Sequence, residues 1–367
     1  MRFNRNIAQF AFAYFISAHK KMRPCIFVAL CGASSVVFAV TPTIVSIAGT
    51  LQTGQTITIT GTNMVNEVRT NWDPFFTNNA NASGFEGVNP GTDGYPTAGS
   101  CASYDTTVKL MGSKSMRLHD EGAHDVNNKG GCYFDYVTQS SRGLGPADAY
   151  YRVYSRWNNT SWPDFDIKYW WLGGSANPVF FNLNPNGGAA PTQIGFLSQG
   201  IAGGSFQWFN IPGGAIQNNR WYLIEGHVRR NGSGAYVVEL WVDNKQLASM
   251  SATVGVDPNA GGWGWESNTN YWNTNAGFVS DQWQDGFVVS GTRVGPASLI
   301  EISNSPTYSA GTKVYQSPLF ISENSVQVKV DLTGLGAGPY YVWVTNSQNE
   351  RSLSGTLFAS PTNLKVN

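Results

Sequence analysis

Residues 220–245 read RWYLIEGHVRRNGSGAYVVELWVDNK and contain two runs of alternating side chains separated by an Asn-Gly-Ser-Gly segment. In the first run, Ile224 and Val228 alternate with mixed or polar residues, and in the second run Val238 and Leu240 do the same. Successive residues of a β-strand point to opposite faces. The pattern therefore predicts two strands, each with one apolar face and one mixed face.

Short runs of the same kind continue through most of the chain after residue 40. They are rich in Val, Ile, Thr and aromatic residues, and clusters of Gly, Asn and Pro separate them. No stretch after residue 40 has the period of a convincing amphipathic helix. The runs include QTITITGTN (55–63), AYYRVYSRW (149–157), PVFFNLN (178–184), SFQWFNI (205–211), QWQDGFVVSG (282–291), NSVQVKVDL (324–332) and PYYVWVTN (339–346). Many short strands at this spacing predict an all-β protein built from sandwiches or jelly rolls.

Composition excludes several classes of protein. Only 13% of the 367 residues are charged and the formal net charge is zero, whereas 13% are aromatic and 41 are glycine. A nucleic-acid binder needs a basic surface for the phosphate backbone. A disordered or coiled-coil chain needs more charge and fewer aromatic residues. Neither class fits this chain.

The N-terminus has the features of an export signal over residues 1–39. Lys20, Lys21 and Arg23 precede an apolar run from Cys25 to Ala39, which is shorter than a comfortable membrane span. Met22 would make a normal start, so an over-extended start is one interpretation of the first 21 residues. A retained anchor helix is the alternative. We expect a secreted or surface-exposed protein with no membrane span once the signal is removed.

Two cysteines remain after residue 39, Cys101 and Cys132. In an exported protein, two thiols predict one disulfide. Their spacing does not suit a zinc site. The segment between them contains His119-Asp120-Glu121 and His124-Asp125, an acidic stretch that we interpret as a loop offering oxygen ligands to a structural Ca²⁺.

Two distant segments share the texture of paired β-strands, namely PTIVSIAGTLQTGQTITITGTN at residues 42–63 and VQVKVDLTGLGAGPYYVWVTNSQNERS at residues 326–352. The first segment resembles the opening strands of an immunoglobulin-like module of the IPT/TIG family, and the second resembles its ending. A domain can be inserted into a loop because domain termini lie close together. We therefore predict one discontinuous Ig-like domain, residues 40–71 plus 297–360, with a tail at 361–367. Two separate partial modules are the alternative.

The 225 residues from 72 to 296 contain a series of strand-like runs, from WDPFF (72–76) and VKLMGSKSMRLHD (108–120) to WQDGFVVSGTRVG (283–295). In strand texture and order, this series resembles a concanavalin A-like jelly roll, especially its polysaccharide-lyase-like branch. The resemblance implies a sandwich with a concave face that binds glycans. The first and last strands often pair in such jelly rolls, so Asp73 and Asp285 become further candidates for the calcium ligands. A fold alone does not give a function.

Alternation assigns candidate site residues to the mixed strand faces. The apolar faces would meet in the core and the mixed faces would line the concave groove, where aromatic rings stack on sugars and planar polar groups bind hydroxyls. The candidates for glycan binding are Arg156, Trp170, Trp208, Glu225, Glu239 and Trp241. For each of them, and for the catalytic candidates below, an ordinary structural position in a strand is the competing interpretation.

Two chemistries are conceivable on this face. A polysaccharide lyase needs a group that neutralises the uronate carboxylate and a base that abstracts the adjacent proton. The catalytic candidates for these roles are Arg152, Tyr154, Lys168, Gln193 and His227. However, the Gln-Ile-His pattern of alginate-lyase relatives is absent, because Gly195 follows Gln193-Ile194. A glycoside hydrolase needs two carboxylates, which Glu225 and Glu239 would supply, but the family's E-x-D-x-x-E strand is absent as well.

The sequence thus predicts a secreted protein that binds a polysaccharide through the concave face of a jelly roll. A polysaccharide lyase acting on the same face is the first alternative. A structural or adhesive component of a surface or viral appendage is the second.

Overall fold

The structure is a computed structural model of the whole chain, and its architecture is described for most of the residues after position 39. The described residues are 40–65, 102–121, 133–137, 148–163, 167–172, 179–184, 188–198, 207–230, 235–253, 265–268, 277–290, 293–347 and 349–353. Residues 1–39, Asp73, Cys101 and Cys132 lie outside them, so the export signal and the disulfide remain predictions, as does a calcium ion held by Asp73.

The described part of the chain is built from antiparallel strands and contains no α-helix, which confirms the predicted all-β fold. The strands are β1 Thr43–Gly49, β2 Thr56–Thr62, β3 Ala102–Asp105, β4 Ser115–Glu121, β5 Tyr133–Val137, β6 Asp148–Asn159, β7 Ile167–Leu172, β8 Val179–Asn184, β9 Gln193–Ser198, β10 Gln207–Asn210, β11 Trp221–Arg230, β12 Ala235–Val242, β13 Lys245–Thr253, β14 Trp265–Asn268, β15 Val279–Ser290, β16 Ser298–Ser303, β17 Lys313–Tyr315, β18 Pro318–Ile321, β19 Ser325–Lys329, β20 Tyr341–Asn346 and β21 Arg351–Leu353. No helix in this part of the chain is long and apolar enough to cross a membrane.

The larger part of the molecule is a jelly-roll sandwich of two antiparallel sheets, which we call the large sandwich. Its seven-stranded sheet has the order β13-β12-β11-β6-β15-β4-β3, and its six-stranded sheet has the order β10-β9-β8-β7-β14-β5. In the seven-stranded sheet, Ile224 lies between Val153 and Val242 in register. These apolar residues face the core, where they meet Phe181 and Ile194 of the six-stranded sheet. The alternation seen in the sequence therefore forms the core as expected.

A second pair of antiparallel sheets forms the small sandwich. The first sheet has the order β1-β2-β19-β18, and the second has the order β17-β16-β20-β21. In the first sheet, Ile57 lies opposite Val328 and Ile59 lies opposite Val326, so the beginning of the chain pairs with a segment near its end. All four side chains are buried.

The core of the small sandwich continues onto the outer face of the seven-stranded sheet. Trp221 and Leu223 of β11 belong to the same buried cluster as the small sandwich's apolar residues. The Ser317 hydroxyl donates to the carbonyl oxygen of Trp221 at 2.8 Å, and the Ile321 amide donates to the carbonyl oxygen of Leu110 at 2.8 Å. This part of the seven-stranded sheet is therefore covered by protein.

One local prediction was wrong. The segment His119-Asp120-Glu121 was interpreted as an acidic loop, but it forms the end of strand β4. There, the His119 Nδ1 lies 2.8 Å from Asp281 Oδ1 on the neighbouring strand β15, and Arg117 donates to the same oxygen. The charges at this position are thus used for cross-strand pairing.

Candidate functional site

The predicted site residues lie on two surfaces of the large sandwich, and they do not form one groove. Arg152, Tyr154 and His227 belong to strands of the seven-stranded sheet, whereas Lys168 and Gln193 belong to strands of the six-stranded sheet. Alternation separates inward from outward positions, but a sandwich has two outward faces on opposite sides. The prediction that these five residues form one lyase site is therefore corrected.

Arg152 and Tyr154 lie beneath other parts of the protein. Tyr154 is 0% exposed and Arg152 is 1% exposed. The Tyr154 hydroxyl accepts a hydrogen bond from the Ala297 amide at 3.0 Å. Arg152 donates to the carbonyl oxygens of Gly286 and Gly295 at 3.0 and 3.3 Å. The expectation that these two side chains line an open groove is wrong, because they bind backbone groups inside the molecule.

Asp285 has a structural role in the same buried region. Its carboxylate accepts backbone amides from Leu110 at 2.7 Å, Met111 at 3.0 Å and Gly286 at 2.7 Å. The side chain is 0% exposed. Its oxygens thus satisfy the backbone of a turn, which does not fit the predicted role as a calcium ligand. Within the described ranges, no group of three or more metal-binding side chains comes together.

His227 and Glu239 form a hydrogen-bonded pair on the outer face of the seven-stranded sheet. Nδ1 of His227 lies 2.6 Å from Oε2 of Glu239, and the Tyr150 ring stacks on the imidazole at a centroid distance of 3.7 Å. Gln246 and Ser249 donate to the other Glu239 oxygen at 3.0 and 3.2 Å. Both Glu239 oxygens are therefore held by neighbouring strands, which ties β11, β12 and β13 together.

Glu225 has a different partner from Glu239. It pairs with the guanidinium of Arg293, which also lies 4.5 Å from the centre of the Trp241 ring. Trp241 is buried, so its ring is closed to a sugar. The predicted pairing of Glu225 with Glu239 as hydrolase carboxylates has no support here, because each carboxylate has a different partner.

The predicted glycan-binding residue Arg156 is half-buried, and its guanidinium donates to Oδ1 of Asn219 at 2.8 Å.

The outer face of the six-stranded sheet carries a row of amide side chains across three strands. Asn184 of β8 lies opposite Gln193 of β9, and Gln193 lies opposite Asn210 of β10. Nδ2 of Asn184 donates to Oε1 of Gln193 at 3.2 Å, and Nε2 of Gln193 donates to Oδ1 of Asn210 at 3.1 Å. We call these three residues the amide row. Within the row, Oδ1 of Asn184 and Nδ2 of Asn210 are the terminal acceptor and donor groups.

Trp208 lies beside the amide row, two residues along β10 from Asn210. Its register partner is Gly195, which in turn lies opposite Asn182. A Cβ atom added to Gly195 would lie 2.7 Å from Cε3 of Trp208, so only glycine lets the indole approach the sheet this closely. Trp208 is half-buried. The indole therefore forms a platform next to the amide row.

Three residues of this face are absent from the predictions made from sequence, namely Asn182, Asn184 and Asn210. Each of them alternates with a core residue in the runs PVFFNLN and SFQWFNI, so the strand pattern contained the signal that they point outward. Strand β7, which carries the predicted Lys168 and Trp170, belongs to the same sheet. Of all the predicted residues, Gln193 and Trp208 are the two whose described side chains lie on this face.

The face formed by the amide row, Trp208, Gly195 and Asn182 supplies neutral hydrogen-bonding groups and an aromatic surface. Amide groups donate and accept hydrogen bonds with hydroxyls, and an indole ring packs on the apolar face of a sugar. None of these side chains titrates near neutral pH. Chemically, the described part of the face is equipped for binding a polyhydroxylated ligand and offers no base or acid.

No protein-family model matches the chain, and no curated protein matches it. Solved structures with a partial structural likeness include several polysaccharide lyases. The endo-β-1,4-glucuronan lyase from the fungus Trichoderma reesei is 11% identical, with a TM-score of 0.40, over 56% of this chain and 90% of that one. The marine PL-14 alginate lyase from Aplysia kurodai is 10% identical, with a TM-score of 0.36, over 52% and 87%. Alginate lyase A1-II′ of polysaccharide lyase family 7 is 13% identical, with a TM-score of 0.36, over 53% and 84%.

Proposed function

We propose that this protein binds a polysaccharide through the outer face of the six-stranded sheet. The observation that carries the proposal is the amide row of Asn184, Gln193 and Asn210 beside the half-buried indole of Trp208. The row runs across three strands, so its hydrogen-bonding groups are held in fixed relative positions by the sheet register. A rigid row of neutral groups next to a ring suits successive hydroxyls of a glycan chain.

We infer an Ig-like domain of the IPT/TIG kind, interrupted by the inserted jelly roll at residues 72–296, and the pairing of β2 with β19 supports this arrangement. The basic and apolar sequence of residues 1–39 supports secretion, which would bring the protein to extracellular glycans and would permit a disulfide between Cys101 and Cys132.

The test uses the purified protein and soluble polysaccharides, namely 1,4- and 1,3-linked glucans, mannans and uronans. Dissociation constants are measured by isothermal titration calorimetry. We expect Trp208→Ala to weaken binding about tenfold or more, because removing a stacking ring costs on the order of 1.4 kcal/mol of binding free energy. Gln207→Ala is the matched control, since Gln207 is exposed on the same strand but alternates to its other side.

Two outcomes would contradict the proposal. Either the wild-type protein binds none of these polysaccharides, or Trp208→Ala binds as well as the wild type does. The same incubations also test the lyase alternative, because β-elimination yields an unsaturated product that absorbs ultraviolet light. Formation of this product would favour the lyase alternative, whereas binding without it would favour the proposed binding function.

A further inference from the structure

Asn182 is a fully buried amide for which the described residues offer no hydrogen-bond partner. It lies between the core residues Phe181 and Leu183 on β8, so its side chain points to the outer face of the sheet. Its exposure is 0%, and neither Nδ2 nor Oδ1 is hydrogen-bonded. Buried polar groups in folded proteins are nearly always paired, so an amide with both groups unpaired needs an explanation.

The surroundings of Asn182 point to a ligand. Asn184 of the amide row follows two residues along the same strand, and Gly195 lies opposite Asn182 in register. The indole of Trp208 packs over Gly195. Asn182 therefore belongs to the face proposed above to bind a glycan. Its amide offers two donor hydrogens and one acceptor oxygen side by side.

We propose that Asn182 is the specificity-determining residue of this face and that it recognises two adjacent free hydroxyls of one sugar unit. One hydroxyl accepts a hydrogen bond from Nδ2, and the neighbouring hydroxyl donates one to Oδ1. The inference rests on the proposed function. The ligand class is then glycans whose internal sugar units keep two free hydroxyls on adjacent carbons.

Other common sugar substituents complement this amide less well. A carboxylate or sulfate only accepts hydrogen bonds, so it leaves Oδ1 unpaired. The N–H and C=O of an acetamido group point in opposite directions, because a secondary amide is planar and trans. A single primary amide therefore cannot pair with both of them. A vicinal diol satisfies the donor and the acceptor together.

Access to Asn182 requires a side chain to move, because the residue is closed to solvent in the free protein. Trp208 is the neighbouring described aromatic residue on this face, and it lies on β10, the edge strand of the sheet. Its ring can be displaced without breaking the pairing of an inner strand. A sugar that stacks on the displaced ring can then reach the amide of Asn182.

The experiment compares the wild-type protein with Asn182→Leu, which keeps a similar shape and removes both polar atoms. Soluble 1,4-linked and 1,3-linked gluco-, manno- and urono-oligosaccharides are the probes. Internal 1,4-linked units keep adjacent hydroxyls at positions 2 and 3, whereas the hydroxyls of 1,3-linked units at positions 2 and 4 are not adjacent. We expect the wild type to prefer a 1,4-linked probe and the variant to lose that preference, with at least tenfold weaker binding.

Stability provides the second readout. Because Asn182→Leu removes two buried unpaired polar atoms, we expect the melting temperature to stay level or to rise by about 1–3 °C. Weaker binding in a protein that is equally or more stable would not arise from general damage to the sheet. Asn182→Ala is the second variant, for use if leucine prevents folding, and we expect the same loss of binding.

The outcomes separate the two proposals. Absence of wild-type binding to every probe overturns the proposed function. If the wild type binds in a Trp208-dependent way while Asn182→Leu and Asn182→Ala bind unchanged, the proposed function stands and Asn182 is only a buried amide. A wild-type protein that binds 1,3-linked probes as tightly as 1,4-linked ones overturns the diol assignment.

Discussion

Asp243 shows how burial changes the ionisation of a single residue. It lies in the turn between β12 and β13 and accepts hydrogen bonds from Arg220 at 2.6 Å and from the Leu223 amide at 3.1 Å. Burial raises the pKa of Asp243 to about 6, and this effect outweighs the attraction of Arg220, which lowers it. The folded protein therefore holds a proton on Asp243 more tightly than the unfolded chain does.

The raised pKa of Asp243 makes the stability of the folded protein depend on pH. Between the ordinary pKa of 3.8 and the raised value of about 6, the folded state binds more protons than the unfolded state. The contribution of Asp243 to the free energy of unfolding therefore decreases as the pH rises through this window. We expect Asp243→Asn to remove this decrease. Thermal melts of both proteins from about pH 4 to pH 8 test it, and parallel curves would count against the raised pKa.

Sequence alone predicts some single residues of the candidate site and misses the binding partners of others. Gln193 and Trp208 were recognised because an amide and an indole at outward strand positions are typical of glycan sites. Asp285 was interpreted as a metal ligand because a carboxylate near a strand pairing suits calcium. Its real partners are backbone amides of a turn 174 and 175 residues away in sequence, and no local pattern predicts such a contact.

At the level of elements, the sequence predicts where many strands lie, but it does not predict which of the two sheets each strand joins. The run RWYLIEGHVRR became β11 with the expected inward residues Ile224 and Val228. Period-two alternation depends only on the local chain, so it survives in the fold. Which sheet a strand joins depends on distant pairing partners. For this reason His227 and Gln193, both correctly placed as outward, lie on opposite faces of the sandwich.

The separation of the two faces leads to a prediction for Glu239. Glu239→Ala removes the acceptor of the buried His227 Nδ1 and breaks the link between β11 and β13. We expect a loss of about 1–3 kcal/mol in the free energy of unfolding, measured by urea titration. Glycan affinity should be unchanged in the folded variant, because the amide row lies on the other sheet.

Gln246→Ala is the control for this prediction. It removes one exposed donor to the same carboxylate and leaves His227 paired, so its effect should be within about 0.5 kcal/mol. If Glu239→Ala abolishes glycan binding while the protein remains folded, the site would have to be moved to the seven-stranded sheet.

At the level of the whole molecule, the two sandwiches share buried side chains. Trp221 is 1% exposed and packs in the core that contains Ile57 and Val342 of the small sandwich, although it belongs to the large one. The pairing of β2 with β19 closes the small sandwich around this contact. We therefore expect the two sandwiches to unfold together.

Trp221→Ala tests this cooperativity by calorimetry. Removing a buried indole should cost about 3–5 kcal/mol and should lower the temperature of one common transition. Tyr222→Ala is the matched comparison, because Tyr222 is equally buried on the same strand but faces the core of the large sandwich. Two separate transitions, with only one of them shifted by either variant, would show that the sandwiches are energetically independent.

The register between β2 and β19 also sets an order of events during synthesis. Thr60 lies opposite Ser325, a residue that emerges from the ribosome roughly 265 positions later. At a typical elongation rate of about 5–20 residues per second, β2 waits on the order of ten seconds or more for its partner strand. Throughout this interval one edge of the β1–β2 hairpin lacks its native neighbour. The small sandwich is thus the last part of the molecule to be completed, and the time before its closure is when the nascent chain is most exposed to mispairing.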